Sequence, residues 1–220
     1  MIDVRKFIKE NSDFKYKNFI SQFTKTKFKI CGVRIPHLRK FAKEIEPEYI
    51  ELDNPNLTYE EILLYGFSAS QFKNEDEQLE YLENLLPYID DWSTCDEIVS
   101  SLKCLNNEKS YQKFNNLLDD GREYYVRVGI VGMMKNFIKT DKLEEILKKI
   151  SELPEQEYYA KMAIAWLYAE ICTFNFPIAK RQIEKTTDKF IRNRAISKAN
   201  DSLRVTNFDK QELLKLKIKD

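Results

Sequence analysis

The sequence predicts an all-α protein, an α-solenoid of HEAT-like or armadillo-like helical repeats with a concave inner surface, and three observations carry that expectation. Apolar residues recur at three-and-four spacing almost throughout, as in Val4, Phe7, Ile8, then Phe14, Phe19 and Phe23, while strict alternation is nearly absent. Only 5 glycines and 6 prolines punctuate 220 residues, too few for a many-stranded sheet. Finally, Tyr124-Tyr125-Val126-Arg127-Val128-Gly129-Ile130-Val131 is echoed 34 residues later by Tyr158-Tyr159-Ala160-Lys161-Met162-Ala163-Ile164-Ala165, and more faintly, 32 residues further on, from Phe190 to Ile196. Helix pairs repeating at such a period stack into a solenoid.

The elements follow in order. The N-terminal apolar periodicity gives a basic helix pair. Pro36 suits the first turn of a helix over 35–45. Thr58-x-x-Glu61 is a capping box ahead of a helix over 62–70, and Asn74 precedes a helix over 75–86 that Pro87 ends. A helix opens at Asp91-Trp92 and runs to about Leu105. The three echoing segments are buried helices whose small residues permit close packing. About ten to twelve helices are expected, none much longer than about 18 residues, within a single domain over 1–220.

Charge and cysteines narrow the class. The 36 Lys/Arg and 36 Asp/Glu cancel overall, yet they are segregated. Residues 1–40 hold 11 basic against 3 acidic side chains, 41–120 hold 5 against 19, and 121–220 hold 20 against 14. Two basic regions sharing a face would suit a polyanion, and ordinary solvated helix faces would give the same counts. Cys31, Cys95, Cys104 and Cys172 match no zinc, redox or disulfide spacing and read as reduced thiols. No apolar run reaches membrane-spanning length, and Met1-Ile2-Asp3-Val4 does not open a secretory signal, so a cytoplasmic protein is expected. His37 is the only histidine, which excludes Ser-His-Asp, Cys-His and multi-histidine metal sites. Without a glycine-rich phosphate loop, no nucleotide cofactor and no metal are expected.

Four residues stand out for chemistry. Trp92 and Asp96 are one helical turn apart, so an indole and a carboxylate emerge within about 40° of each other. A packed Trp beside a helix-start Asp has the same spacing. Arg127 is the only charge between Tyr124 and Met134, and a buried guanidinium needs a core carboxylate or an anion in a groove. Trp166, in Ala163-Ile164-Ala165-Trp166-Leu167, is either a core residue or a second aromatic wall.

Taken together, Trp92-x-x-x-Asp96, Arg127 after its aromatic pair, and Trp166 resemble the active-site quartet of the AlkD-like DNA alkylation repair family, whose members are HEAT-like-repeat DNA glycosylases. Gly32-Val33-Arg34-Ile35-Pro36-His37-Leu38-Arg39-Lys40 resembles that family's Gly-Val-Arg-x-Pro-x-Leu-Arg segment, and the likeness runs from about residue 30 to the C-terminal repeat. The resemblance implies excision of cationic N3- and N7-alkylated purines, such as 3-methyladenine and 7-methylguanine, from double-stranded DNA in base excision repair. It implies that Asp96 offsets the cationic sugar and orients a water, that Trp92 and Trp166 flank the lesion, and that Arg127 holds a phosphate or braces Asp96. Arg34, Arg39, Lys40, Lys161, Arg192 and Arg194 are candidate DNA-binding residues, with duplex DNA as partner and a monomer as the expected state.

The chain departs from the family after the second tryptophan, where many members carry an Arg and Leu167-Tyr168-Ala169-Glu170 stands here. Glu170 would bring a second negative charge to the groove. Ser93-Thr94-Cys95, between Trp92 and Asp96, replaces a more apolar filler. Two alternatives stay open from sequence: a non-catalytic paralogue that binds DNA structures, and a HEAT-type protein-interaction scaffold that docks through the acidic 41–120 segment.

Overall fold

The computed structural model describes residues 2–219, so Met1 of the opening tetrapeptide and Asp220 lie outside the described residues. The protein is all-helical. In chain order the helices are α1 (Val4–Asn11), α2 (Phe14–Ile20), α3 (Ile35–Phe41), α4 (Tyr59–Ala69), α5 (Glu75–Leu85), α6 (Trp92–Ser101) and α7 (Glu108–Leu117). They continue as α8 (Glu123–Asn136), α9 (Leu143–Ser151), α10 (Tyr158–Ile171), α11 (Phe176–Lys185), α12 (Lys189–Asp201) and α13 (Asn207–Leu214). Among the described residues the one β-type pairing is an isolated bridge between Lys29 and Thr58. Among the described residues no helix is long and apolar enough to cross a membrane. The chain divides into two compact units, Met1–Gln112 and Lys113–Asp220.

The first unit is built around α4, whose eleven residues are all buried. Its start is the expected capping box: the Thr58 hydroxyl accepts from the Glu61 amide at 3.2 Å, and the Glu61 carboxylate takes the Thr58 amide at 2.7 Å. Helices α3, α5 and α6 pack around it, so the helix has no solvent face and its sequence, Tyr59 to Ala69, shows little amphipathic contrast. Leu63, Leu64, Leu82, Leu85 and Ile98 are fully buried here, each contributing about 1.5–3 kcal/mol of transfer free energy.

Several helix ends differ from expectation: α4 begins at Tyr59, directly after its capping Thr58, and not at Ile62, and α5 gives way at Leu86 to a 3-10 turn that includes Pro87. The segment over 35–45 is α-helical only to Phe41 and finishes as a 3-10 turn, Ala42–Glu44. α6 stops at Ser101, not near Leu105. Leu102 takes an extended conformation (φ −77°, ψ 102°), which turns Leu102 and Leu105 into the core. The buried Gln78 carboxamide accepts the Cys104 amide at 2.9 Å, so the chain that leaves the helix keeps a partner for its backbone.

The second unit shows why the sequence repeats itself. α10 packs against both α8 and α12, with α11 and α13 behind. The rings of Tyr124 (α8) and Tyr159 (α10) lie 5.6 Å apart, and those of Tyr158 (α10) and Phe190 (α12) 5.4 Å apart. Each repeat therefore joins the next through the aromatic residues of its first turn, and the three helices run parallel. The small residues serve close approach: a Cβ on Gly132 would enter the Phe114 ring. Val126 to Met134 are buried without a break.

Candidate functional site

On α6, the N-cap Asp91 is fully buried. One of its oxygens accepts the Ser93 amide at 2.8 Å and the Ser93 hydroxyl at 2.5 Å; the other accepts the Lys25 amide at 2.8 Å. Starting from that fixed end, Ser93, Thr94 and Cys95 turn into the core, where the Ser93 hydroxyl meets the Tyr59 hydroxyl at 2.9 Å. The unusual Ser-Thr-Cys filler is thus the packed side of the helix. Trp92 and Asp96 emerge together on the opposite side, both half-buried. The Trp92 indole donates its N–H to the Phe23 carbonyl at 2.9 Å, which restrains the ring.

The Gly32-Val33-Arg34 segment has a structural basis of its own. Gly32 has φ +95°, and a Cβ there would stand 2.6 Å from the Asp13 carbonyl oxygen. The buried Glu60 carboxylate receives three successive amides, those of Cys31 (2.9 Å), Gly32 (2.6 Å) and Val33 (3.3 Å). Burial raises the Glu60 carboxyl above its usual range, against the opposing pull of those amides. Arg34 pairs with Asp13 at 2.9 Å and covers the Tyr16 ring. Arg39 pairs with Glu97 at 2.6 Å, beside Asp96 in the chain, with its guanidinium 4.1 Å from the Phe67 ring centroid. Lys40 is exposed.

In the second unit Arg127 is 5% exposed, and its guanidinium donates to the Tyr159 carbonyl at 2.6 Å. Glu123, one turn before it, accepts the Tyr159 amide, so both side chains seat the first turn of α10. Trp166 is half-buried, like Trp92, and not fully enclosed in the core. Two ammonium groups stand over its indole, Lys135 of α8 at 4.7 Å and Lys198 of α12 at 5.8 Å from the ring centroid. Each such contact is worth about 0.5–2 kcal/mol. Glu170 is held at both oxygens by Arg204, at 2.8 and 2.7 Å, so the extra carboxylate carries its own counter-charge. A cavity of about 280 Å³ opens here, lined by Trp166, Glu170, Lys198 and Arg204 among others.

The remaining predicted cations are divided. Lys161 is clasped by Asp188 at 2.8 Å and by Glu155, and the bond to Asp188 foremost raises its ammonium above the usual range. Arg192 donates to the carbonyls of Thr186 (2.9 Å), Leu216 (3.5 Å) and Glu184, closing helix ends. Arg194 is exposed beside the Phe190 ring. Sequence reasoning missed Lys135, Lys198, Glu60 and Arg204. Lys198 had a signal, standing one repeat of 32 residues after Trp166; Glu60 and Arg204 had none, because their partners are remote in the chain.

The model of a protein family described as DNA alkylation repair enzyme matches residues 4–199. No curated protein matches the chain, and no solved structure does.

Proposed function

Because the chain belongs to the DNA alkylation repair enzyme family, we propose that it is a monofunctional DNA glycosylase that releases cationic N3- and N7-alkylated purines from duplex DNA. The observation that supports this most is α6, which turns three consecutive residues into the core and leaves an indole and a carboxylate together at the surface.

An N-alkylated purine already carries positive charge. When its N-glycosidic bond breaks, the bonding pair passes to the ring and neutralises it, so no proton is needed on the leaving group. The developing charge moves to the sugar, where the Asp96 carboxylate offsets it. Asp96 also orients the water whose oxygen bonds to C1′ and whose proton it accepts. Trp92, restrained by its N–H, offers an aromatic face to the cationic nucleotide. The Trp166 indole with its two lysines binds the DNA backbone, with Lys40 and Arg194 as further contacts; Arg127, Arg34 and Arg39 join them on leaving the Tyr159 carbonyl, Asp13 and Glu97. Lys161 and Arg192 act there only after releasing their present partners. The reaction needs no cofactor and is carried out by a monomer.

The test is release of 7-methylguanine and 3-methyladenine from methylated duplex by the wild type and by Asp96→Asn. Loss of the carboxylate is expected to slow release by about 10²–10³-fold with the fold retained by circular dichroism. Equal release by both proteins removes Asp96 from the chemistry. No release by a folded wild type favours a paralogue that binds DNA without cutting the glycosidic bond.

A further inference from the structure

Residues 25–29 read Lys-Thr-Lys-Phe-Lys and cross the first unit without regular secondary structure, yet their backbone is held along its length. Asp91 takes the Lys25 amide at 2.8 Å; Asp90 takes the Lys27 amide at 2.9 Å and the Thr26 hydroxyl at 2.6 Å. The Lys29 carbonyl accepts the Tyr59 amide at 3.1 Å, and the preceding Phe23 carbonyl holds the Trp92 indole. The two aspartates therefore bond the main chain, while Lys25, Lys27 and Lys29 stay exposed.

Beneath this strap lies a cleft of about 900 Å³. Lys9 and Lys17 reach it from α1 and α2, Lys27 and Lys29 from the strap, over an apolar floor that includes Ile30 and Leu57. Its one carboxylate, Glu61, is already bonded to Arg5 at 3.0 Å. Among the described residues no carboxylate pairs with Lys9, Lys17, Lys27 or Lys29. Four ammonium groups around one cleft repel one another, and among the described residues only the contact of Lys27 with the Phe28 ring, 5.0 Å to the centroid, engages any of them directly. A polyanion offsets that repulsion by placing closely spaced charges along the rim and releasing its counterions.

Resting on the DNA reading above, we infer that the 25–29 strap with Lys9 and Lys17 is a second phosphate-binding rim, one that grips the backbone of the duplex flanking the lesion. The strap is also the segment that pins Trp92, so the rim and the proposed lesion-facing ring share one support. A pre-held backbone loses little conformational freedom on binding, which favours grip through charge alone and without base preference.

The experiment measures affinity for an undamaged duplex of roughly 25 base pairs over a salt series, where each phosphate contact contributes about 0.9 to the slope of log K against log salt. The variants are Lys27→Gln/Lys29→Gln, Lys9→Gln/Lys17→Gln and, as a charge-matched control outside the cleft, Lys43→Gln/Lys73→Gln. Each cleft pair is expected to lower the slope by about 2, the control pair to leave it unchanged, and Lys27→Arg/Lys29→Arg to restore it. A wild type that binds steeply while both cleft pairs keep its slope overturns the rim and leaves the glycosylase reading standing. The same loss in the control pair also overturns it, because net charge alone would then be responsible. A wild type without salt-dependent duplex binding overturns the DNA reading itself.

Discussion

Gly32→Ala and Gly121→Ala are expected to destabilise the protein by unequal amounts, although both glycines have positive φ, +95° and +85°. Holding an L-residue in that region costs about 1–2 kcal/mol at either site. The surroundings differ. A Cβ on Gly121 meets nothing within 4 Å, whereas one on Gly32 falls 2.6 Å from the Asp13 carbonyl oxygen and 2.7 Å from the Lys17 Cβ. Neither neighbour is a flexible chain end: the Asp13 carbonyl accepts the Lys17 amide at 2.8 Å in the first turn of α2, and the Asp13 amide donates to the Gly32 carbonyl at 3.0 Å. Overpacking against such fixed atoms adds about 1–3 kcal/mol, for a total of roughly 2–5 kcal/mol at Gly32. In a chain of this size each kcal/mol lowers Tm by about 2–4 °C, so Gly32→Ala is expected to fall by roughly 4–20 °C and Gly121→Ala by roughly 2–8 °C. Thermal melts followed by circular dichroism measure both. Equal shifts would show that the close packing of Gly32 against α2 carries no energetic weight, and with it the account of why the Gly-Val-Arg segment begins with glycine.

Two further outcomes are expected. Burial pushes the Asp188 carboxyl up, but the Lys161 ammonium and the Ile191 and Phe190 amides outweigh it and hold the group below its usual 3.8. A depressed carboxyl stabilises the fold above pH 3.8 and loses that contribution as pH falls through its folded value, so Asp188→Asn should flatten the acid limb of Tm against pH; parallel limbs would refute this. Arg204→Ala should alter folding stability by less than about 1 kcal/mol, since the Arg204 side of the pair is exposed, yet weaken duplex binding several-fold at low salt by uncovering Glu170 near Trp166. Glu170→Gln in the same chain should restore binding, and a double variant as weak as the single would show that Arg204 acts through its own charge.

The sequence determined the helices, because periodicity and caps are local: Thr58 with Glu61, Asn74 and Pro36 mark the starts where α4, α5 and α3 begin. It also determined the repeat, since Tyr124, Tyr158 and Phe190 recur at the spacing that lets neighbouring first turns meet. The pairing of Trp92 with Asp96 on one face follows from 3.6 residues per turn and needed no coordinates. Tertiary structure alone decided what each charge does. Arg192, Arg194 and Lys161 look alike in sequence, yet one closes helix ends, one faces solvent and one is clasped by two carboxylates. Glu170 reads as an unwanted charge until Arg204, 34 residues on, is found at both its oxygens. The acids at 90 and 91 add to an acidic segment in the sequence, while in the fold they bond the backbone of a basic strap more than 60 residues away. The reason is one of range: a helix is specified by neighbours three and four residues apart, but the role of a charge is specified by whichever remote group the fold places within about 3 Å of it.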